Sequence, residues 1–366
     1  MKRMLAALLL GAGVGMGAHA HGLLPAKTEA MPGCAWALLH SATTPATGAW
    51  GDADTETGRA IDAGTVFNIA SVSKQFTALA ILLLVQDKQL DLDRPLSQYL
   101  PQITGELGKP TLRQMLRHTG GLPDYIDPLF EAGREDEVVT AAETLEVIAR
   151  QPRLRFAPGA RFEYSNTGYF LLAQVVEHVS GQALATFSRQ YIFEPLGMRD
   201  TTIVDHYPSG ITAMARGYQI DAGRARISES RWEQTGDGQV HASARDMLRW
   251  LRHLDDDTVL STPSGRPADA GVLSLLTSGD TPVSEARNGY QFGLEAIKLE
   301  HENAWAHGGG WAGYRSFMAY APESRRGVAV LCNTTDVSAR GAAGEILAGA
   351  WEAPASARRR RSLDKP

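Results

Sequence analysis

The chain has 366 residues, of which 43% are hydrophobic and 21% charged, which is typical of a globular protein with one large domain or two lobes. The formal net charge of −5 argues against nucleic acid as a partner, and basic residues form no cluster outside Arg358–Arg361 near the C-terminus.

The first twenty residues are predicted to be a secretory signal peptide. Lys2 and Arg3 precede an apolar run over residues 4–16, and residues 18–20 read Ala-His-Ala, which fits a small-x-small cleavage site. The apolar run is short for a bilayer span, although a membrane-anchoring helix is the alternative. We therefore expect a mature protein that begins near His21 and is periplasmic or secreted.

The chain contains two cysteines, Cys34 and Cys332, and each lies in a strand-like apolar run (33–39 and 327–332). If these two strands pair antiparallel, the start of one faces the end of the other, and the two sulfurs come close. An oxidising compartment would preserve a bond between them. The sequence thus suggests a Cys34–Cys332 disulfide, with two free thiols as the alternative.

The remaining elements are predicted from apolar periodicity, capping residues, glycines and prolines. Strands are expected on both sides of a turn at 43–48, within the segment 34–51, and again at 291–299, 304–307, 314–320 and 326–333. Helices are expected from Ser71 to about Gln86 and at 111–118, 140–150, 169–180, 183–193, 243–254, 271–277 and 339–351. Loops are expected at 52–64 and 124–133, and the segment 209–238 shows no clear periodicity.

Strands therefore lie at both ends of the chain and helices in the middle. This order predicts an α/β (α+β) fold in which an antiparallel sheet from both chain ends is flanked by helices and carries an inserted, mostly helical lobe. The expected domain covers residues 21–352, with a sheet lobe at about 33–85 and 285–352 and a helical lobe at about 86–284. The basic tail, residues 353–366, is expected to be disordered.

A serine and a lysine open the long apolar helix at residues 71–86. Ser71 and Lys74 are three residues apart and so share a helix face, and the helix N-terminus offers free N–H groups to an oxyanion. Because a polar pair in a buried helix is costly unless it is used, we interpret Ser71 as a nucleophile and Lys74 as its activating neighbour. The alternative is an ordinary N-cap serine with a surface lysine, and Ser362 and Lys365 match the same spacing in the tail.

A second motif, Tyr164-Ser165-Asn166, lies between a turn and a helix. A tyrosine hydroxyl beside a lysine ammonium can have a lowered pKa and shuttle protons, which predicts such a role for Tyr164. The amide of Asn166 could donate to a substrate carbonyl. The alternative is a half-buried aromatic residue followed by a turn residue.

A third motif, residues 307–310, reads His-Gly-Gly-Gly and lies on or beside a late strand. Glycines in a strand let a backbone or ligand approach closely, which would allow this strand to hold an extended acyl group. The alternative is a plain glycine-rich turn. A second His-x-Gly match at 118–120 follows a helix, and we interpret it as a helix stop.

In this combination the chain resembles the serine β-lactamase and penicillin-binding superfamily, in particular class C β-lactamases, serine D-Ala-D-Ala carboxypeptidases (family S12) and related esterases. Residues 71–74 resemble its S-x-x-K motif, residues 164–166 its Y-x-N motif and residues 307–309 its K/H-x-G motif. The order and spacing of the motifs also fit, and the resemblance covers nearly all of the mature chain.

The resemblance implies a secreted serine hydrolase that forms an acyl-enzyme through Ser71. Lys74 and Tyr164 would move the serine proton to the leaving group, and Tyr164 would be the base for deacylation. The backbone N–H groups of Ser71 and Gly310 would form the oxyanion hole. Asn166, His307, Gly309, Gly310 and Arg315 would bind a small-molecule or peptide acyl donor, namely a D-amino-acid peptide, a β-lactam or a small ester. No cofactor and no metal are implied.

One departure from the family pattern concerns position 307, where typical β-lactamases carry lysine. A free imidazole is mostly neutral at pH 7, so His307 is a weaker anchor for a substrate carboxylate, and Arg315 in the next strand could compensate. This favours a peptidase or esterase over an efficient β-lactamase. A function of another class is also open: a non-catalytic penicillin-recognition-like domain that binds peptidoglycan or a protein partner.

Overall fold

The computed structural model describes residues 30–40, 44–279, 289–299 and 301–349. The predicted signal peptide and basic tail lie outside these residues. The strands are β1 (Cys34–Leu39), β2 (Ala46–Trp50), β3 (Asp52–Asp54), β4 (Arg59–Ala60), β5 (Val66–Asn68), β6 (Thr202–Ile203), β7 (Tyr218–Asp221), β8 (Arg224–Ile227), β9 (Val240–Ser243), β10 (Glu295–Leu299), β11 (Glu302–Trp311), β12 (Tyr314–Ala321) and β13 (Arg326–Cys332).

The α-helices are α1 (Lys74–Gln86), α2 (Leu96–Tyr99), α3 (Leu112–Leu116), α4 (Ile126–Glu131), α5 (Ala141–Ala149), α6 (Asn166–Ser180), α7 (Leu184–Ser188), α8 (Ala244–Asp255), α9 (Val272–Leu276) and α10 (Ala339–Leu347). Single turns of 3-10 helix occupy Ala70–Ser73 and Gly105–Gly108, and a π-helical turn at Arg189–Phe193 extends α7. Across these described segments, every helix is too short or too polar to cross a membrane.

The main sheet has six antiparallel strands in the order β10-β11-β12-β13-β1-β2. Its first two strands in sequence come from the N-terminal part of the chain and the other four from the C-terminal part. The prediction of a sheet assembled from both chain ends is therefore confirmed. Three short strands form a separate sheet in the order β5-β9-β6.

The main sheet is covered on both faces. Alternate residues of β1 and β13 point to opposite faces, as the two-residue period of a strand requires. Ala35, Ala37 and Leu331 join the large core beneath α8, whereas Val328 and Val330 join a smaller core beneath α10. Because both faces are covered by helices, β1 and the part of β13 after Arg326 consist of apolar residues and glycine only.

Cys34 and Cys332 lie directly opposite each other across the antiparallel pair of β1 and β13. Their Cα atoms are 4.0 Å apart, and their sulfurs are joined in a disulfide. The predicted disulfide is confirmed, and it ties the start of the sheet to its last strand.

Helix α1 is the central helix of the core. Eleven of its thirteen residues, from Lys74 to Leu84, are buried, and it packs against α6, α7 and α9. It ends at Gln86, as its sequence predicted. The helix is apolar on all sides because it lies between other helices, and this position also buries the Lys74 side chain at its first residue.

Several predicted loops are wrong in detail. Residues 52–64 contain the β3–β4 hairpin, and strand β2 begins at Ala46, inside the predicted turn. Helix α4 occupies part of the predicted loop 124–133, with Pro128 in its first turn, where a missing N–H costs nothing. Within 209–238 lies the β7–β8 hairpin, turned by Ala222 and Gly223, which both have positive φ.

Candidate active site

Ser71 lies in the 3-10 turn that precedes α1, and Lys74 is the first residue of the helix. The Lys74 Nζ donates a hydrogen bond of 3.2 Å to the Ser71 Oγ. The residue before the serine, Ala70, has a φ of +47°, which is an unfavourable conformation for a residue with a Cβ. Such strain persists only where surrounding contacts impose it, and it is common at functional sites.

Two further acceptors complete the surroundings of the Lys74 ammonium group. Its Nζ donates 2.8 Å to the Asn166 Oδ1 and 2.7 Å to the backbone carbonyl of Asp237. The three N–H bonds of the ammonium are therefore all satisfied. Burial lowers the pKa of Lys74 to about 8, and the nearby carboxylates of Asp237 and Asp124 limit that decrease. A buried lysine of this kind holds an appreciable neutral fraction near physiological pH.

Asn166 is the N-terminal residue of α6, and its amide is held on both sides. Its Oδ1 accepts from Lys74, and its Nδ2 and backbone N–H each donate 2.9 Å to the Asp124 Oδ2. One of the two amide hydrogens is therefore committed to Asp124. The sequence suggested an amide free to bind a substrate carbonyl, whereas in the structure Asn166 first of all positions Lys74.

Tyr164 lies beside the serine, and its phenol forms a hydrogen bond with the Ser71 side chain. The Lys74 Nζ is 4.9 Å from the centroid of the tyrosine ring, a distance at which the cation and the ring interact. Burial raises the pKa of Tyr164 well above its ordinary value of 10. The expected lowering of this pKa is therefore wrong, because loss of solvent outweighs the hydrogen bond from Ser71.

The glycine motif lies within β11, so it is a strand and not a turn. Gly309 faces Ser316 across the sheet, and Gly310 faces Arg315. A Cβ on Gly309 would come within 2.5 Å of the Ile69 carbonyl oxygen. The close approach that the glycines allow is thus made by the chain's own backbone, which holds the turn with Ser71 against the sheet.

His307 is almost completely buried, with 3% of its surface accessible. Its Nε2 lies 3.0 Å from the Tyr290 hydroxyl and its Nδ1 2.6 Å from the Gly308 carbonyl. Burial and the Lys74 charge lower the pKa of His307 to about 3, so its imidazole is neutral at pH 7. This environment makes His307 a poor anchor for a substrate carboxylate.

Arg315 lies in β12, and its guanidinium donates to the carbonyls of Ala312 and Tyr314. It lines a cavity of about 670 Å³ that also reaches the serine. We call this space the arginine cavity. It is lined by, among others, Ser71, Tyr164, His307, Gly309, Arg315 and Arg340.

A second cavity, of about 260 Å³, opens on the other side of Ser71 and Tyr164. We call it the aromatic cavity, since several of its walls are aromatic rings. It is lined by, among others, Ser71, Tyr125, Tyr164, Trp232, Asp237 and Trp311, and also by Asn166 and Gly310. The serine therefore lies where two cavities of different composition meet.

Sequence reasoning did not identify three residues around the site. His118, interpreted as part of a helix stop, stacks on Tyr164 with ring centroids 4.2 Å apart, and its Nδ1 accepts from the Ser165 N–H. Tyr125 donates 2.8 Å to the buried carboxylate of Asp237. The resemblance to the family extends over these residues as well, but it assigned no role to their individual side chains.

Metal ligation finds no support in the described residues, where no three His, Cys, Asp or Glu side chains are grouped to hold an ion.

The comparisons with known proteins agree with the motifs. Penicillin-binding protein 4* of Bacillus subtilis (strain 168) is 30% identical over 290 residues, which cover 75% of this chain and 62% of that protein. A D-aminopeptidase of Cereibacter sphaeroides (strain ATCC 17023) is 29% identical over 333 residues, which cover 89% of this chain and 62% of that protein. The chain thus spans less than two thirds of the length of these curated relatives.

Among solved structures, D-amino acid amidase from Ochrobactrum anthropi SV3, complexed with L-phenylalanine amide, matches with a TM-score of 0.69 at 27% identity. The match covers 83% of this chain and 87% of that chain, which confirms the predicted fold class. The family described as Beta-lactamase matches residues 22–350, so the chain belongs to the beta-lactamase family.

Proposed function

We propose that this protein is a serine hydrolase that forms an acyl-enzyme through Ser71 and acts on D-amino-acid amides or peptides. The observation that carries the proposal is the hydrogen bond of 3.2 Å between the Lys74 Nζ and the Ser71 Oγ, at a lysine whose pKa burial lowers to about 8. A serine becomes nucleophilic when a neighbouring base can take its proton. Family membership and the D-aminopeptidase relative support the same reaction class.

In the acylation step, the Ser71 Oγ attacks the substrate carbonyl carbon while neutral Lys74 takes the hydroxyl proton. The two remaining N–H bonds of Lys74 stay on Asn166 and Asp237, which leaves its lone pair directed at the serine. The resulting oxyanion would be stabilised by the backbone N–H groups of Ser71 and Gly310, which both line the aromatic cavity.

Collapse of the tetrahedral intermediate breaks the carbon–nitrogen bond. Because its pKa is raised, Tyr164 is a neutral phenol at physiological pH and can donate its proton to the leaving nitrogen. The proton on Lys74 then restores the phenol. In deacylation, water attacks the ester carbonyl carbon while neutral Lys74 takes one water proton. The bond from that carbon to the Ser71 Oγ then breaks, and Lys74 returns the proton to the Oγ as the acid product leaves. Lys74 rather than Tyr164 is thus the base in both steps.

The preference for D-amino-acid substrates is supported by the relatives, one named a D-aminopeptidase and the other a D-amino acid amidase. The buried, neutral His307 disfavours efficient β-lactam hydrolysis, since it offers no charge to a β-lactam carboxylate. Penicillins and small esters remain acyl donors that can trap or report on the serine.

We also propose that the protein is periplasmic or secreted. The N-terminal sequence supports this location, and so does the Cys34–Cys332 disulfide, because disulfides persist in oxidising compartments and are rare in the cytosol.

The test is intact-mass measurement after incubation with a fluorescent penicillin, a D-amino acid p-nitroanilide and a p-nitrophenyl ester. We expect an adduct or turnover that disappears in Ser71→Ala and persists in Ser97→Ala, an exposed serine on α2. If no donor acylates Ser71 under any condition, the non-catalytic alternative, a domain that binds peptidoglycan or a protein partner, replaces the hydrolase proposal.

A further inference from the structure

Tyr164 lies in a segment, residues 161–165, that is neither helix nor strand. Helix α6 begins only at Asn166. The hydrogen bonds of regular secondary structure therefore do not fix the position of the tyrosine. The proposed mechanism nevertheless requires its phenol to lie within reach of Ser71 and of the leaving nitrogen. Contacts with another part of the chain must place it there.

His118 supplies three such contacts. Its backbone carbonyl accepts a hydrogen bond of 2.9 Å from the Glu163 N–H, and its Nδ1 accepts one of 3.2 Å from the Ser165 N–H. Between these two bonds, the imidazole packs against the Tyr164 ring, with centroids 4.2 Å apart and an angle of 33° between the ring planes. The histidine thus holds the residue on each side of Tyr164 as well as the tyrosine ring.

The conformation of His118 is costly for stability. Its φ is +53°, which is unfavourable for a residue with a Cβ, and 2% of its surface is accessible. Burial and the Lys74 charge lower the pKa of His118 well below its ordinary value, so its ring is neutral. Because Nδ1 accepts a hydrogen bond, the hydrogen of the neutral ring is on Nε2, and this atom is buried without a hydrogen-bond partner among the described residues.

A buried donor without an acceptor and a strained backbone both oppose folding. An apolar side chain at this position would avoid the first of these costs. The contacts of His118 with the segment that carries Tyr164 are what this residue adds in return. Its placement therefore indicates a role in the geometry of the site rather than in stability alone.

We propose that His118 is a positioning residue that holds the Tyr164 phenol where it can donate its proton to the leaving nitrogen. The Nδ1 is the essential atom, because it fixes the N–H of the residue next to the tyrosine. This assignment rests on the proposed function and adds a residue to its proton-transfer step. No bond to His118 forms or breaks: the O–H bond of Tyr164 breaks as an N–H bond forms on the leaving amine, and the Lys74 proton restores the phenol.

This role predicts different effects on amides and on activated esters. An amide nitrogen has to be protonated before it leaves as a neutral amine, whereas nitrophenolate leaves as a stable anion. Because a displacement of about 1 Å can cost about 10²-fold in rate, a misplaced phenol should slow amide cleavage much more than ester cleavage. A role confined to stability would lower both rates by the same factor, since it changes only the fraction of folded protein.

The test compares kcat/KM for D-phenylalanine p-nitroanilide and D-phenylalanine p-nitrophenyl ester, which share their acyl group and differ in the leaving atom. His118→Phe keeps an aromatic ring but removes the acceptor, and we expect it to lower the amide-to-ester ratio by at least about tenfold. His118→Asn supplies an Oδ1 acceptor and tolerates a positive φ, so it should keep the ratio to within about threefold.

Two further variants complete the design. His118→Gly also lacks the acceptor and accommodates the positive φ, so it should show the same decrease as His118→Phe and replaces it if that variant does not fold. His253→Phe is the matched control. The ring of His253, on α8, also connects chain segments, through the Thr258 Oγ1 at 2.9 Å and the Leu196 carbonyl at 3.0 Å. Its replacement should leave the ratio at the wild-type value.

A wild-type ratio in the variants without the acceptor would overturn the assignment. An equal decrease in His253→Phe would do the same, and so would an equal decrease in His118→Asn. Ester turnover that depends on Ser71 would meanwhile leave the proposed hydrolase function intact. Absence of Ser71-dependent turnover of both substrates by the wild-type protein would instead refute the proposed function, so the two failures are distinguishable.

Discussion

The Ser316 Oγ donates a hydrogen bond of 2.7 Å to the carbonyl oxygen of Ile69, and the same carbonyl lies against Gly309 on the neighbouring strand. Ile69 is two residues before Ser71, so this contact attaches the turn with the serine to β11 and β12. The position of the nucleophile relative to the sheet therefore depends on the absence of a side chain at residue 309.

Gly309→Ala should weaken both stability and activity. Its Cβ would lie 2.2 Å from the Ser316 Oγ and 2.5 Å from the Ile69 carbonyl, so the strand or the turn must move. We expect a loss of about 1–3 kcal/mol in the free energy of unfolding and a decrease in kcat. Gly308→Ala is the control, because its Cβ would meet only Phe317, at 4.0 Å. Chemical denaturation and ester hydrolysis measure both effects, and equal behaviour of the two variants would refute the contact's importance.

Lys74→Met should lower the acylation rate by about 10²–10⁴-fold, because the variant keeps a long side chain but has no base to take the serine proton. Lys109→Met is the control, since Lys109 is exposed and pairs only with the exposed Glu106, three residues before it. Stopped-flow or steady-state ester hydrolysis reports the rate, and circular dichroism reports the fold. A folded variant that keeps wild-type acylation would remove Lys74 from the mechanism.

Acylation should accelerate as the pH rises through about 8, because the pKa of Lys74 is lowered from 10.5 to about 8 and only its neutral form accepts a proton. The carboxylates of Asp237 and Asp124 raise the pKa of this lysine, and the rings of Tyr164 and Tyr169 lie within 5.6 Å of its Nζ. The other titratable groups that interact with it are His118 and His307. Asp124→Asn should shift the midpoint to lower pH, because it removes a charge that favours protonation. A pH–rate profile of ester hydrolysis measures both midpoints, and an unshifted midpoint would count against this electrostatic account.

The same pKa has a consequence for stability. Between pH 8 and 10.5 the unfolded chain keeps the Lys74 proton and the folded chain releases it, so the contribution of this residue to stability rises with pH in that window. In Lys74→Met this contribution should be absent, and denaturation curves at the two ends of the window would show it.

Replacing both cysteines, Cys34→Ala with Cys332→Ala, should lower the free energy of unfolding by about 2–5 kcal/mol, since the disulfide closes a loop across 298 residues. Thermal unfolding of the double variant and of the wild-type protein, with and without reductant, measures the difference. Reductant should destabilise only the wild type. Two free thiols in the denatured, unreduced wild-type protein would contradict the bond itself.

Much of the fold could be predicted from local sequence. The apolar run after Ser71 indicated a buried helix that ends at Gln86. The helix expected at residues 140–150 is present as α5, and the structure shows a capping box of Thr140 and Glu143 at its N-terminus. The errors fell where local signals conflict with tertiary context. A loop was expected at residues 124–133, where the structure has α4 with Pro128 in its first turn, a position that accepts proline.

Some features of the candidate site likewise follow from local sequence, whereas others depend on tertiary contacts. The spacing of Ser71 and Lys74 by itself determined that the two side chains share a helix face, because helix geometry is a local property. The sequence likewise determined a membership in the beta-lactamase family that the comparisons confirm. It could not reveal that His307 is buried against Tyr290 or that Asn166 is held by Asp124, since neither contact follows from local spacing.

The protonation states were decided by tertiary structure alone. Burial sets the pKa of Tyr164 above its ordinary value and that of Lys74 below it, and burial depends on how distant segments pack around each group. The hydrogen bond from Lys74 to the backbone carbonyl of Asp237 also depends on tertiary structure, because the two residues are 163 positions apart in the sequence. Residue types and their spacing supply the chemical groups. Tertiary packing excludes water from them, and this exclusion sets the protonation state on which each group's role depends.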